Sequence, residues 1–338
     1  MEKLISSRSN LHYVPDSYIL PPESRPGNDT PLCNMVPVID LGGELSFDNS
    51  SITQQIIKAS QEFGFFQLVN HGIPKKLLDD VMQVAREFFE LPIEDKAAIY
   101  SDDPKQGCRL HTSIDYANED VHYWRDVLTL PSHPLEQHIQ NWPNKPTRYR
   151  DVMGSYSVKV RKLGLVLLDL ICKGLGLESG YFNDERSSVQ KMAINHYPPC
   201  PDPSLTLGLP KHSDPNLITL LLQGETEMHG LQVCKDGQWF AVEPIPYALV
   251  VNIGHTMQII SNGKLMSADH RVVTNKRLAR TTIASFIHPS LSCQIEPAEA
   301  LIDDCNPPLF KAFEYKDFYS TYMTATHARV SPLELYKL

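Results

Sequence analysis

Two spacings of apolar residues divide the chain into helical and β-type segments. Residues 51–63 (SITQQIIKASQEF) place apolar side chains three and four positions apart, which predicts a helix that ends at Gly64. The segments KKLLDDVMQVAREFFEL and IEDKAAIY predict a second helix that ends before Pro92 and a short third one. Residues 149–175 predict a long amphipathic helix, and the glycines of KGLGL suit its C-terminal cap.

Short runs of β-type composition dominate another part of the chain. VPVIDL and FFQLVN predict two early strands, and similar runs recur in residues 188–294: KMAINHY, LITLLLQ, LQVCKDGQWFAV, ALVVNIG and RTTIASFI. Gly, Pro, Asn and Asp separate these runs, and KDGQW is typical of a hairpin turn. Several short strands at fairly even spacing predict a sandwich or barrel. We therefore expect an α+β chain whose mainly β core lies beneath a helical N-terminal layer.

The patterns predict four consecutive regions. In order, they are a helical N-terminal domain at 1–120, a connecting segment with the long helix at 121–187, the β core at 188–294 and a C-terminal segment of helix and loop at 295–338. The first of these regions opens with a proline-rich, irregular arm. It closes with residues 101–120, which have no regular period and are interpreted as one long loop. Loops of this length are usually functional or mobile.

Charge and composition limit the partners of the chain. Its 338 residues carry a formal net charge of -9, which argues against a nucleic acid or an acidic membrane surface as partner. The apolar segment LGLVLLDLICKGLGL is interrupted by Asp169 and Lys173 and is too short to span a bilayer. MEKLISSRSN lacks the apolar core of a secretory signal. The seven cysteines are scattered and never spaced as CxxC, so we expect a cytoplasmic monomer with reduced thiols that acts on a small molecule.

The segment LPKHSDPNLITLLLQ carries a histidine and a carboxylate two positions apart. In an extended chain, the side chains of His212 and Asp214 emerge on one face. His270 lies in the same β-rich region, with 55 residues between it and Asp214. Most of the other histidines lie in loops, beside glycines or in strand-like stretches, and these are interpreted as ordinary surface or core residues. Two imidazoles and one carboxylate form the facial triad of a non-haem Fe(II) oxygenase, which leaves three coordination positions open.

The open positions suit a 2-keto acid and dioxygen. The keto oxygen and one carboxylate of the acid fill two positions, dioxygen takes the third, and a second carboxylate requires a cation deeper in the pocket. Arg280 lies ten residues after His270, and Thr282 shares its strand face. Arg280 alone would be interpreted as a solvated charge at the end of a strand. Because a guanidinium suits a bidentate clamp on a carboxylate, we predict that Arg280 and Thr282 hold the cosubstrate.

The order of these motifs resembles the plant 2-oxoglutarate/Fe(II)-dependent dioxygenases over nearly the whole chain. The similar segments are VPVIDL, FGFFQLVNHGIP, NHYPPCPDPSLTLGLPKHSDPNLITLLLQ, GLQVCKDGQWFAVEPIPYALVVNIG, SNGKLMSADHRVV and ARTTIASF. The resemblance implies a double-stranded β-helix, or jelly roll, that uses Fe(II), 2-oxoglutarate and dioxygen, with ascorbate as reductant. It also implies that Asn195 and Tyr197 contact the other end of 2-oxoglutarate.

Two positions depart from the family pattern. Thr282 stands where the family usually has serine, and because threonine keeps the hydroxyl, the clamp should be retained. His255 follows NIG, where the family often has aspartate. We expect His255 to serve mainly in packing, although a role in hydrogen bonding around the metal ligands is the alternative.

The resemblance also indicates where a substrate would bind. By family position, the pocket-lining residues would be Val127, Thr129, Phe286 and His288. For Phe286 the alternative is an ordinary core residue, and for His288 a surface residue. Residues 101–120 are a candidate lid, since lids of this kind exclude water from reactive intermediates. This candidate lid contains Leu110, His111 and Tyr116, and of these Leu110 and His111 are expected to bind the substrate.

Three classes of function compete. YSVKVRKLGLVLLDLICKGLGLESGYF, EPIPYALVVNIG and IEPAEALIDDCNPPLFKAFEY resemble the hyoscyamine 6β-hydroxylase branch, and HYWRDVLTL resembles the salicylate- and flavone-directed branch. We therefore expect hydroxylation of a plant specialised metabolite, with or without later epoxidation or desaturation, and favour an alkaloid over a phenolic. A zinc hydrolase is the second class, but no positioned general-base glutamate accompanies His212 and Asp214 in this sequence. The third is a catalytically silent ligand-binding protein.

Overall fold

The computed structural model describes residues 3–8, 11–27, 30–33, 36–42, 50–224, 229–328 and 331–338. Its helices are α1 (Ser50–Glu62), α2 (Lys75–Glu90), α3 (Ile93–Lys96), α4 (Leu135–His138), α5 (Tyr149–Leu175), α6 (His255–Ile260) and α7 (Tyr315–Ala328). Among the described residues, no helix combines the length and the apolar character needed to cross a membrane.

The strands are short, as the sequence predicted. In chain order they are β1 (Leu32–Cys33), β2 (Val38–Asp40), β3 (Phe65–Val69), β4 (Arg109–Thr112), β5 (Asp126–His133), β6 (Val189–Tyr197), β7 (Leu207–His212), β8 (Ile218–Leu222), β9 (Leu231–Lys235), β10 (Gln238–Val242), β11 (Leu249–Ile253), β12 (His270–Val273), β13 (Arg280–His288), β14 (Gln294–Ile295) and β15 (Phe313–Glu314).

Two sheets form the jelly roll. The larger sheet has eight strands in the order β2-β3-β11-β8-β13-β6-β5-β4, and the smaller has five in the order β1-β10-β9-β12-β7. Apolar side chains from both sheets meet in a small buried cluster that includes Phe65, Val233 and Val250. The predicted β core is therefore confirmed, and strands from the first half of the chain complete its large sheet.

Local backbone chemistry explains where several elements end. Gly64 stops the first helix at a φ of +67°, and Gly176 caps the long helix at +74°, a region that glycine occupies at little cost. The amide of Gly176 donates to the carbonyl oxygens of Cys172 and Lys173. In the β9–β10 hairpin, Asp236 and Gly237 both have positive φ, as a tight hairpin turn requires. The helix, cap and hairpin predictions are confirmed.

The long helix α5 supports the large sheet from the side opposite the smaller sheet. Together with α2 it contacts the sheet strands β13, β8 and β6, and α1 contacts β2, β3 and α5 itself. Gly164 allows the close approach, because a β-carbon there would collide with the side chain of Ile287 on β13. Side chains of β6 and β13 consequently alternate between this helical layer and the interior of the jelly roll.

The prediction of one irregular loop at 101–120 was wrong for residues 109–112. Arg109–Thr112 form β4, which pairs antiparallel with β5 in the register Arg109↔Thr129 and His111↔Val127. The sequence did not predict this strand because four residues are too few to show a period. Its backbone hydrogen bonds also come from a partner strand more than a dozen residues away.

The N-terminal arm lies against the end of the large sheet. The carboxylate of Asp126 accepts hydrogen bonds from the backbone amides of Ile5 at 3.0 Å and Ser6 at 2.7 Å. Tyr18 packs edge-on against Trp124, with 5.4 Å between the ring centres. The irregular arm is thus anchored by a buried carboxylate and an aromatic pair beside the cavity wall.

Candidate active site

His212, Asp214 and His270 converge between the two sheets. The two histidines are direct partners in the β12–β7 register, and their ring centres lie 4.1 Å apart. Asp214 follows β7 and places its Oδ1 atom 3.7 Å from Nε2 of His212 and 3.8 Å from Nε2 of His270. One potential ligand atom from each residue lies within 4.8 Å of the others. Strand pairing therefore brings His270 beside His212 and Asp214, although 55 residues lie between Asp214 and His270 in the sequence.

Backbone carbonyl groups orient both imidazoles. Nδ1 of His212 lies 2.9 Å from the carbonyl oxygen of Pro210, and Nδ1 of His270 lies 3.3 Å from that of Ala268. A carbonyl accepts only from a protonated nitrogen, so each Nδ1 carries the hydrogen and each Nε2 keeps its lone pair for a metal. Burial, with repulsion from the neighbouring His270 ring, lowers the pKa of His212 to about 4. Its ring is accordingly neutral, as a metal ligand must be.

Two polar side chains hold the carboxylate of Asp214 in place. Its Oδ2 atom accepts hydrogen bonds from Nδ2 of Asn252 at 2.8 Å and from the hydroxyl of Thr219 at 2.5 Å. Burial raises the pKa of Asp214, but the two imidazoles and these hydrogen bonds more than offset that effect and hold it below the ordinary value. The sequence analysis did not identify Asn252 or Thr219, since both lie within apolar strand runs.

The donor set fits a divalent transition metal. Two imidazoles, each with its Nε2 free, and one carboxylate meet at one point, and a cavity of about 290 Å³ opens beside them. Imidazole and carboxylate on one side, with vacant positions on the other, are the ligands and geometry of non-haem Fe(II). Among the described residues that line this cavity, Asp214 is the only carboxylate.

Four strands of the large sheet form one wall of the cavity. Cross-strand register places the wall residues in rows. The first row is His111, Val127, Asn195 and Thr282, and the next is Arg109, Thr129, Ala193 and Ala284. A third row pairs Lys191 with Phe286, and Tyr197 pairs with Arg280 at the opposite end. The wall therefore runs from Arg280 at one end to Phe286 at the other.

Arg280 is a buried cation at the closed end of this wall. Its side chain is 1% exposed, its Nη2 donates to Oε1 of Gln223 at 2.9 Å, and its Nε has no hydrogen-bond partner among the described residues. The guanidinium lies over the ring of Tyr197, 5.5 Å from the ring centre. Gly230 provides the space, since a β-carbon there would approach Cδ of Arg280 to 2.8 Å. A buried guanidinium with unused donors is suited to an anion.

Thr282 and Asn195 form the row of the wall next to Arg280 and Tyr197. They are cross-strand partners, and Nδ2 of Asn195 is 3.5 Å from the hydroxyl of Thr282. Arg125, which the sequence analysis missed, donates from Nη1 to Oδ1 of Asn195 at 3.1 Å and from Nη2 to the carbonyl oxygen of Ser113 at 2.8 Å. The HYWRDV segment contained Arg125, but no spacing rule linked it to Asn195, which lies 70 positions away.

The structure separates the predicted substrate-pocket residues into two groups. The residues that line the cavity are His111, Val127, Thr129, Phe286 and His288. Leu110 does not line it, because alternation along β4 turns its side chain to the opposite face, where it is fully buried in the hydrophobic core. Tyr116 also lies outside this cavity and stacks on His122 with 3.7 Å between ring centres. The prediction that Leu110 binds the substrate was therefore wrong, and Tyr116 of the candidate lid lies away from this cavity.

The C-terminal helix α7 forms part of the cavity lining. Tyr319, Tyr322 and Met323 of α7 line it, and the sequence analysis did not include any of them. The hydroxyl of Tyr315 on the same helix lies 2.8 Å from Nδ1 of His288. Helical periodicity predicted a helix and loop in this region but could not show which element it covers.

His255 is the first residue of α6 and is 5% exposed. Its ring packs edge-on against Phe318 at 6.2 Å and Tyr322 at 6.4 Å between ring centres. Its backbone amide donates to the carbonyl oxygen of Asp214 at 2.7 Å. Burial lowers the pKa of His255 to about 4. The neutral ring therefore packs beneath α7, and the backbone, rather than the side chain, holds the loop that carries Asp214.

Comparisons with known proteins agree with this geometry. The profile of the 2OG-Fe(II) oxygenase superfamily matches residues 188–289, and that of the N-terminal domain of non-haem dioxygenases in morphine synthesis matches residues 36–149. Hyoscyamine 6-dioxygenase of Hyoscyamus niger is 44% identical over 337 residues, which cover 96% of each chain. Flavanone 3-dioxygenase 2 of Oryza sativa subsp. japonica is 42% identical over 96% of this chain and 94% of its own.

A solved structure shares the fold of the whole chain. The crystal structure of JOX2 in complex with 2OG, Fe and JA superposes with a TM-score of 0.85. It is 30% identical in sequence and covers 99% of this chain and 97% of its own. The fold of this chain is thus shared, over nearly its whole length, with a protein whose crystal structure contains 2OG and Fe.

Proposed function

Because the chain belongs to the 2OG-Fe(II) oxygenase superfamily, we propose that His212, Asp214 and His270 bind the Fe(II) of this dioxygenase and that the adjacent cavity is where a small organic molecule is hydroxylated. The observation that carries the assignment is the convergence of three potential ligand atoms within 4.8 Å, at a cavity whose closed end holds a buried arginine. The bound iron supplies the electrons with which dioxygen and 2-oxoglutarate react.

The residues of the large sheet would hold 2-oxoglutarate in a fixed orientation. Arg280 binds its distal carboxylate with unused guanidinium donors, and Thr282 adds a hydroxyl from the same strand face. Asn195 and Tyr197, their cross-strand partners, border the other side of the same space. Fixing both ends of the cosubstrate on rigid strands favours its productive orientation.

The other two classes of function are less well supported. A zinc hydrolase of this kind needs a second carboxylate as general base, and Asp214 is the only carboxylate among the described residues of the cavity. A silent ligand-binding protein would not need the hydrogen bonds from Asn252 and Thr219 that orient this carboxylate. The arrangement therefore supports an active iron site.

We also propose that the substrate is a specialised metabolite and that the enzyme is a cytoplasmic monomer. Hyoscyamine 6-dioxygenase and flavanone 3-dioxygenase 2 are named for different substrates, hyoscyamine and flavanone, so similarity alone does not choose a substrate class. The cavity of about 290 Å³ has room for a small organic molecule.

An absorption experiment tests the iron assignment. Anaerobic protein with Fe(II) should develop a weak visible charge-transfer band when 2-oxoglutarate is added, and Asp214→Ala should abolish this band. Ser204→Ala, an exposed change on a neighbouring loop, serves as the control and should retain it. In air with ascorbate, the unmodified protein should form succinate from 2-oxoglutarate. Absence of both the band and succinate would show that the proposed function is wrong.

A further inference from the structure

We propose that the substrate is a small carboxylic acid and that Arg109 and Lys191 bind its carboxylate. This inference rests on the proposed function, because it takes the Arg280 end of the cavity to be occupied by 2-oxoglutarate. It replaces the preference for an alkaloid, whose protonated amine would meet two cations of the same sign.

Arg109 and Lys191 project from the sheet wall at the end of the cavity opposite Arg280. Arg109 lies in the row that contains Ala193 and Ala284, and Lys191 lies one row further, beside Phe286. The two cations stand two strands and two residues apart, so their Cα atoms are separated by about 12 Å. Both side chains are long enough to converge on one carboxylate between them.

The charges of the cavity lining are strongly unequal. The four cations among its described residues are Arg109, Arg125, Lys191 and Arg280, whereas the only anion is Asp214. Metal binding engages Asp214, and the distal carboxylate of 2-oxoglutarate would pair with Arg280. The guanidinium of Arg125 is held by Asn195 and by the carbonyl oxygen of Ser113. Arg109 and Lys191 therefore remain as positive charges at the substrate end.

Neither remaining cation has an ionic partner in the described part of the chain. Nη1 of Arg109 reaches only the carbonyl oxygen of Ser101, at 3.5 Å, and Nζ of Lys191 lies over the ring of Tyr319, 5.0 Å from its centre. No described carboxylate comes within salt-bridge distance of either. Burial lowers the pKa of Arg109, and nearby Asp102 opposes this shift without forming a salt bridge. Both cations are thus available to an anionic ligand.

The two histidines that flank these cations along the wall are neutral. Burial, followed by repulsion from Arg109, lowers the pKa of His111 well below its ordinary value. Burial, followed by repulsion from Lys191, lowers the pKa of His288 to about 3. Neutral imidazoles can hydrogen-bond a carboxylate or a ring hydroxyl without adding charge, so the cationic character of this end rests on Arg109 and Lys191.

The remaining surface at this end is apolar or small. Ala193 and Ala284 are cross-strand neighbours that leave space above the wall, and Val127, Phe286 and Met323 border it. An apolar body with one negative group matches such a lining. The chemistry therefore points to an aromatic or alicyclic acid whose ring lies over the alanines and whose carboxylate faces the two cations.

Matched pairs of ligands test this inference by binding rather than turnover. The protein is loaded with Zn(II) and 2-oxoglutarate, which do not react, and titrated calorimetrically at pH 7.5 with salicylate, cinnamate and indole-3-acetate, with the methyl ester of each, and with hyoscyamine as the cation. At least one acid should bind ten times more tightly than its ester and than hyoscyamine. If no acid in this panel shows a tenfold preference over its ester, the proposal is wrong.

Charge variants assign the preference to the two residues. Arg109→Met and Lys191→Met should each weaken binding of the preferred acid at least tenfold while changing the affinity for its ester less than threefold. Arg109→Lys and Lys191→Arg keep the charge and should keep most of the preference. Lys162→Met, an exposed change on α5, is the control. Retention of the full acid preference in both methionine variants would overturn the assignment.

The iron experiment separates this proposal from the proposed function. A protein that shows the Fe(II)/2-oxoglutarate absorption band but no preference for acids would be an oxygenase with a different substrate class. A protein without the band and without succinate formation would not be the proposed enzyme, whichever ligands it binds.

Discussion

Individual polar atoms carry most of the proposed chemistry, and their partners decide what each can do. Carbonyl oxygens at Pro210 and Ala268 leave the Nε2 atoms of the two histidines free, and hydrogen bonds to Oδ2 of Asp214 leave its Oδ1 facing them. Arg280 is the opposite case, since its buried Nε atom has no partner among the described residues. An unpaired buried charge destabilises a fold unless a ligand pairs with it. A bound anion would therefore account for the burial of Arg280 at this position.

Arg280→Lys tests the role of this guanidinium. The KM for 2-oxoglutarate should rise about 10- to 100-fold, because a charge-assisted hydrogen bond contributes about 1.5–3 kcal/mol and a single ammonium cannot reproduce the bidentate fork. At saturating 2-oxoglutarate, much of kcat should remain. Succinate formation against 2-oxoglutarate concentration measures both constants. Arg277→Lys, an exposed change three residues earlier, is the control, and equal KM values for the two variants would remove Arg280 from the clamp.

At the scale of elements, the side chains of β13 alternate between a face that lines the cavity and a face that packs on the helical layer. Arg280, Thr282 and Phe286 face the cavity, whereas Ile283 and Ile287 are buried towards the helical layer. The same strand thus positions the clamp and rests on α5. Any change in the spacing between α5 and β13 should consequently move the cavity wall as well as reduce stability.

Gly164→Val tests this contact between helix and strand. A side chain at this position would collide with Ile287, and overpacking a core of this kind costs about 1–3 kcal/mol. Urea denaturation should show the loss in the free energy of unfolding. Lys162→Val adds the same residue to an exposed position of α5, so it controls for the helix propensity of valine. Equal stability of the two variants would mean that α5 does not pack closely on β13.

At the scale of the whole molecule, the layered fold buries histidines as neutral groups. His196 lies between the large sheet and α2, stacked on Phe89 with 4.7 Å between ring centres, and its Nδ1 is 2.9 Å from the hydroxyl of Thr281. Burial, with a smaller effect of Lys96, lowers its pKa to about 4. In the unfolded chain the ring takes up a proton near pH 6.5, so the folded state loses stability as the pH falls from about 6.5 towards 4.

His196→Gln should reduce this sensitivity to acid. Between pH 7 and pH 5 the unfolded chain binds the extra proton and the folded chain does not, which corresponds to about 1–2 kcal/mol for this one group. The variant should therefore lose less free energy of unfolding between these pH values than the unmodified protein. Urea titrations at both pH values measure the difference. His12→Gln, at an exposed position, is the control, and an unchanged pH dependence in His196→Gln would contradict the prediction.

Local sequence patterns predicted the helices, most core strands and the identity of the candidate ligands. These features depend on local spacing: a helical period over residues 149–175, glycines after the first and the long helix, and His212 and Asp214 two positions apart. The partner His270 and the pair Arg280 and Thr282 could be predicted because their residue types match one known chemistry.

Which other residues share the cavity depends on how the strands pair and pack. Arg109, Arg125, Lys191 and the tyrosines of α7 meet there, while Leu110, one position from two cavity residues, turns into the core. The reason is physical: register between strands is established by backbone hydrogen bonds from distant segments, and a shift of one residue exchanges the two faces of a strand. The charge that faces the substrate is therefore a property of strand pairing, which local spacing does not contain.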